Sequence, residues 1–67
     1  MLDSKSLLVL NYLKNHFKNS SEPIIDMDIS IIGLGPTDIS KAIYDLNKAG
    51  YIDIDKSIHP SVLKLNN

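Results

Sequence analysis

Residues 39–52 read Ile39-Ser40-Lys41-Ala42-Ile43-Tyr44-Asp45-Leu46-Asn47-Lys48-Ala49-Gly50-Tyr51-Ile52, and two short alternating segments carry the chain on to Leu65. Ile39, Ala42, Ile43 and Leu46 recur at i, i+3, i+4 and i+7, the spacing of a buried stripe on a helix. The opposite face holds Asp38, Ser40, Lys41, Tyr44, Asp45 and Lys48. Gly50 suits the left-handed position that ends a helix. The spacing predicts a helix over residues 37–49. Beyond it, Ile52 and Ile54 alternate with Tyr51, Asp53 and Asp55. Residues 61–65 alternate again, with Leu63 and Leu65 on one side and Val62 and Lys64 on the other. Two alternating runs joined by the loop Lys56 to Pro60 read as a hairpin over residues 51–65.

Working back toward the amino end, Pro36 suits the first turn of this helix, where its missing N–H would be unbonded anyway. Gly33 and Gly35 supply permissive backbone before it. Residues 26–32 are expected to form a short second helix with Asp26 as its N-cap. Ile24 and Ile25 read as a short strand after Pro23. Residues 4–18 are expected to form the first helix, capped by Asp3 or Ser4. On it, Leu7, Leu10, Leu13 and Phe17 are expected to form the core face, with Val9 and His16 at its border. Leu8 and Tyr12 make a second apolar row.

These elements fit one domain spanning residues 1–67. A chain of this size buries only about 60% of the surface its unfolded form exposes. With no cysteine, neither a disulfide nor a thiolate zinc site can staple it. The longest apolar run, Leu7 to Leu10, is far short of a membrane span, and the amino terminus lacks the layout of a signal peptide. A complete, cytoplasmic protein without membrane contact is the expectation. Seven lysines, no arginine and eight acidic residues give a net charge of −1. Phosphate contacts supply most non-specific affinity for nucleic acid, so binders of nucleic acid usually carry a basic excess.

The order helix, short strand, helix, turn, helix, hairpin resembles the winged helix-turn-helix superfamily of small prokaryotic and phage regulators. The residues that carry the resemblance are Ile32-Gly33-Leu34-Gly35-Pro36-Thr37-Asp38-Ile39, similar to the family's turn before its recognition helix, and Ile43 through Ile52, similar to the end of that helix. The resemblance spans about Lys5 to Leu65. It implies an α+β fold: a three-helix winged helix-turn-helix with a C-terminal β-hairpin wing. It also implies a DNA-binding transcriptional regulator whose third helix enters the major groove. Carried over by position, Thr37, Ser40, Lys41, Tyr44 and Lys48 would face DNA, and Lys56 and His59 would sit in the wing loop on the backbone. Without arginine on that helix, the bidentate reading of guanine is absent. Symmetric regulators bind as two-fold dimers, which makes Leu8 and Tyr12 candidates for a homodimer interface; single exposed apolar side chains are also ordinary.

The near-neutral third helix and the acidic Glu22, Asp26 and Asp28 support a reading from another class, a winged helix that docks on a protein partner without DNA. Lys41, Tyr44 and Lys48 share a helical face, which is equally the pattern of a solvated surface. His16 and His59 stand far apart. Asp26 and Asp28, like Asp53 and Asp55, form Asp-x-Asp pairs, but no glycine-rich cation loop surrounds either. The chain shows no cofactor fingerprint, metal-ligand spacing or nucleophile-base motif. It is therefore expected to be no enzyme and to need no cofactor.

Overall fold

The computed structural model describes residues 2–66. The fold is α+β. It consists of α1 (Ser4–Asn19), β1 (Ile24–Ile25), a 3-10 turn (Asp26–Asp28), α2 (Pro36–Lys48), β2 (Ile52–Asp55) and β3 (Ser61–Leu65). The three strands form one antiparallel sheet in the order β1-β3-β2.

The first helix starts where Asp3 accepts the Ser6 amide at 2.8 Å, which satisfies one of the free N–H groups of the first turn. Its core face comprises Ser6, Val9, Leu10 and Leu13, with Phe17 partly buried beside them. Leu7, expected in the core, is exposed. Each residue advances about 100° around a helix, so Leu7, Leu10 and Leu13 drift through roughly 120° and cannot share one narrow face. Val9, expected at the border, is fully buried.

The expected helix over residues 26–32 is a correction: only the three-residue 3-10 turn Asp26–Asp28 forms, so the fold has two α-helices rather than three. A seven-residue helix has little intrinsic stability, and a continuous one here would need a buried stripe. Ile29 is buried and Ile31 packs on the core, but Ile32 is fully exposed. The chain instead turns at Gly33, where φ is +92°, and Leu34 N–H closes the turn on the Ile31 carbonyl at 3.1 Å. Asp26 caps no helix.

All four expected stripe residues of α2, Ile39, Ala42, Ile43 and Leu46, are buried. They meet Val9, Leu10 and Leu13 of α1 together with Ile24, Ile29, Ile52 and Val62 in one core. The helix ends in two bonds, from Gly50 N–H to the Asn47 carbonyl at 3.0 Å and from Tyr51 N–H to the Leu46 carbonyl at 2.9 Å. That pair defines the Schellman turn, which needs a left-handed residue; Gly50 has φ +87°. Asn47 Nδ2 then donates to the Ile52 carbonyl at 2.9 Å and ties the turn to β2. No atom outside the turn crowds Gly50, so Gly50→Ala pays only for backbone strain, about 1–2 kcal/mol. Calorimetry is expected to show Tm lowered by roughly 4–16 °C; an unchanged Tm would refute this account of the turn.

The sheet departs from strict alternation. Ile52 pairs with Leu65 and Asp53 with Lys64, but Ile54 pairs with Val62, so Leu63 is the extra residue of a bulge. A bulge lets two residues three apart face the same side. Val62 is fully buried and Leu65 packs on the core, while Leu63 is exposed. The expected partition of β3, Leu63 with Leu65 against Val62 with Lys64, is therefore corrected. Asp26 N–H donates to the Pro60 carbonyl at 3.1 Å, which extends the β1–β3 pairing into the β2–β3 loop.

Candidate nucleic-acid interface

The outward face of α2 follows from its buried one. Thr37, Lys41, Tyr44 and Lys48 are exposed and, at spacings of four, three and four, fall within an arc of roughly 60° opposite the core stripe. Ser40 lies off this arc, on the flank toward the 3-10 turn. It is half-buried, and its Oγ donates to Asp26 Oδ2 at 2.8 Å. Asp38 and Asp45 lie on the other flank, toward α1.

The carboxylates on that flank are compensated. Lys5 Nζ reaches Asp38 Oδ1 at 3.0 Å, and Lys41 Nζ reaches Asp45 Oδ2 at 3.2 Å. Lys48 makes no ion pair among the described residues. The Lys5 ammonium, followed by the Gly35 amide, holds the Asp38 carboxyl below its ordinary value of 3.8. The amide and hydroxyl of Ser6 lower Asp3 in the same sense. A carboxyl depressed in the folded state stabilises the fold above its unfolded value. That contribution is lost as pH falls through the folded value. Stability is therefore expected to drop below about pH 3.8, and Asp3→Asn with Asp38→Asn should flatten the drop in thermal melts taken from about pH 5 to pH 2. An identical pH profile for the double variant would contradict this assignment.

The other side of α2 holds what the sequence did not reveal. Asp26 is the one buried ionisable side chain among the described residues. One carboxylate oxygen takes the Ser40 hydroxyl. The other, Oδ1, has no hydrogen-bond donor and lies 3.4 Å from His59 Nδ1. Leaving a buried acceptor unpaired costs about 1–3 kcal/mol. Ser, His and Asp thus meet, but not as a nucleophile with its base: Ser40 and His59 both address the carboxylate, and the Ser40 hydroxyl donates to Asp26 rather than to the imidazole. The sequence trace of this junction is an acid directly after the apolar pair Ile24-Ile25 of β1.

The β2–β3 loop holds the remaining expected residues. Lys56 is exposed, and His59 is half-exposed above Asp26. Ser57 Oγ donates to the His59 carbonyl at 2.7 Å, which bends the loop. Ile58 at its tip is 93% exposed. On α1, Leu8 is exposed, whereas Tyr12 is half-buried and its hydroxyl donates to the Asp28 carbonyl at 3.3 Å. His16 Nε2 lies 2.7 Å from the Glu22 carbonyl, whereas His59 faces Asp26. Among the described residues no group of three or more His, Asp or Glu could hold a metal ion, and no helix is long and apolar enough to cross a membrane.

Fold and surface together define a small α+β domain of two helices and a three-stranded antiparallel sheet, with a mixed-charge helix face beside an exposed loop. No protein-family model, curated protein or solved structure matches the chain.

Proposed function

We propose that this chain is a DNA-binding regulator of the winged helix-turn-helix type, with a single 3-10 turn in place of the second helix. In this reading α2 is the recognition helix and enters the major groove, and the loop Lys56 to Pro60 is the wing on the flanking backbone. The observation that carries the reading is the stripe Thr37, Lys41, Tyr44 and Lys48, which stands clear of the core while Asp38 is drawn aside by Lys5. Lysine, threonine and tyrosine suit phosphate and base-edge contacts. The action is binding without catalysis or cofactor, in the cytoplasm. A homodimer would pair through α1, where Leu8 is exposed and Tyr12 half-exposed.

A second reading, a winged helix that docks on a protein partner, is favoured by one observation. Met27, Ile32 and Ile58 expose large apolar side chains close to the start of α2 and the loop, and apolar surface of this kind marks protein contacts.

The deciding experiment is fluorescence anisotropy on a random DNA duplex at low and moderate salt, with oligomeric mass measured alongside. The DNA reading expects micromolar binding that weakens steeply with salt. No binding even at low salt would discard it in favour of the protein partner.

A further inference from the structure

Asp26 ties its own 3-10 turn to two other elements by three contacts: its amide to Pro60 in the loop, its Oδ2 to Ser40 on α2, and its Oδ1 toward His59, again in the loop. A buried carboxylate with one oxygen unpaired is destabilising where an apolar side chain would fill the same space. The nearest donor able to relieve it is the His59 imidazole, whose Nδ1 stands 3.4 Å away. A shift of about 0.5 Å brings it to ordinary N–H···O distance. The ring donates in this direction only when Nδ1 carries a proton, and a carboxylate acceptor favours the proton on that nitrogen.

We propose that Asp26 is a positioning residue. It holds His59 with Nδ1 as the N–H that faces the carboxylate, and it holds Ser40 on its second oxygen. The loop and the first turns of α2 are thereby fixed as one surface. The cleft between them, lined by Asp26, Thr37, Ser40, Ile58 and His59 among others and about 310 Å³ in volume, keeps its shape through this carboxylate. Ser40 is then a structural tie rather than a DNA contact, and His59 is the group on this flank that reaches outward. The consequence for binding rests on the DNA reading above; the placement of the imidazole does not.

The test is ¹⁵N NMR of the imidazole rings in the full chain at neutral pH. His16 is the internal reference, because its Nε2 faces the Glu22 carbonyl and must carry the proton there to donate. The expected spectrum shows two opposite patterns, Nε2–H for His16 and Nδ1–H for His59. Asp26→Ala, which removes the acceptor altogether, should deplete the Nδ1–H form of His59 and leave His16 unchanged. A His59 that matches His16 in the parent protein overturns the proposal. On random duplex DNA, Asp26→Ala and His59→Ala should each weaken binding several-fold, and the double variant should bind no worse than His59→Ala alone. Loss on His59→Ala with none on Asp26→Ala also overturns the positioning role. Opposite tautomers in a protein that binds no duplex would uphold the placement of His59 and discard the DNA reading instead.

Discussion

Replacing Leu46 by alanine is expected to cost about 2–5 kcal/mol, the range for truncating a fully buried leucine. Leu46 has no exposed surface and lies where α2 meets both α1 and the sheet. A domain of this length has a total stability of roughly 3–10 kcal/mol. The variant therefore loses about a fifth or more of the stability, and it unfolds outright where the loss exceeds the total. Urea titration followed by circular dichroism measures the loss directly. Ile32→Ala is the matched control. Its side chain is fully exposed at the turn before α2, and surface substitutions stay within about 0.5 kcal/mol. Equal effects of the two substitutions would show that the core is not centred on α2.

The largest functional effect is expected from Lys41→Ala combined with Lys48→Ala. In the DNA reading each lysine neutralises one phosphate, and each contact contributes about 0.9 to the slope of log affinity against log salt. Removing both should flatten that slope by roughly 1.8 and weaken binding by about tenfold per contact near 0.1 M salt. The ion pair between Lys41 and Asp45 does not protect against this. It is an exposed i, i+4 pair with the lysine side chain 71% accessible, and such pairs contribute only about 0.3–0.5 kcal/mol. A phosphate can therefore recruit Lys41 at small cost. Circular dichroism should show unchanged folding, since neither lysine touches the core. Unchanged affinity and slope in a folded double variant would exclude α2 as the DNA-reading element.

What the sequence could reveal depended on how local the physics was. The stripe Ile39, Ala42, Ile43 and Leu46 and the stop at Gly50 are local patterns, and both helix and Schellman turn form where they indicate. The short strand at residues 24–25 and the hairpin also form. The stretch from Asp26 to Ile32 was misread because three isoleucines and a methionine at mixed spacing suit several backbones. Tertiary contacts decide among them: Ile29 goes in, Ile32 stays out, and the Asp26 amide is already committed to Pro60. The face of β3 was misread because one residue inserted at Leu63 reverses every side chain beyond it. Four of the seven candidate DNA contacts lie on one exposed stripe of α2 and Lys56 is exposed in the loop. Ser40 and His59 converge instead on a carboxylate from a third element. No spacing rule joins residues 26, 40 and 59, so the junction was not legible before the chain was folded.

The strand order leaves β2 with one side unpaired, and β2 is the tetrapeptide Ile52-Asp53-Ile54-Asp55. An open edge is an invitation to sheet growth between molecules. The antiparallel register that sets Ile54 opposite its own copy brings each Asp53 opposite an Asp55, two carboxylate pairs in direct cross-strand contact. Like charges placed this way repel. The same residues that give the strand its alternation therefore make this edge a poor seed for fibrils. They also steer any self-association of the protein away from this edge.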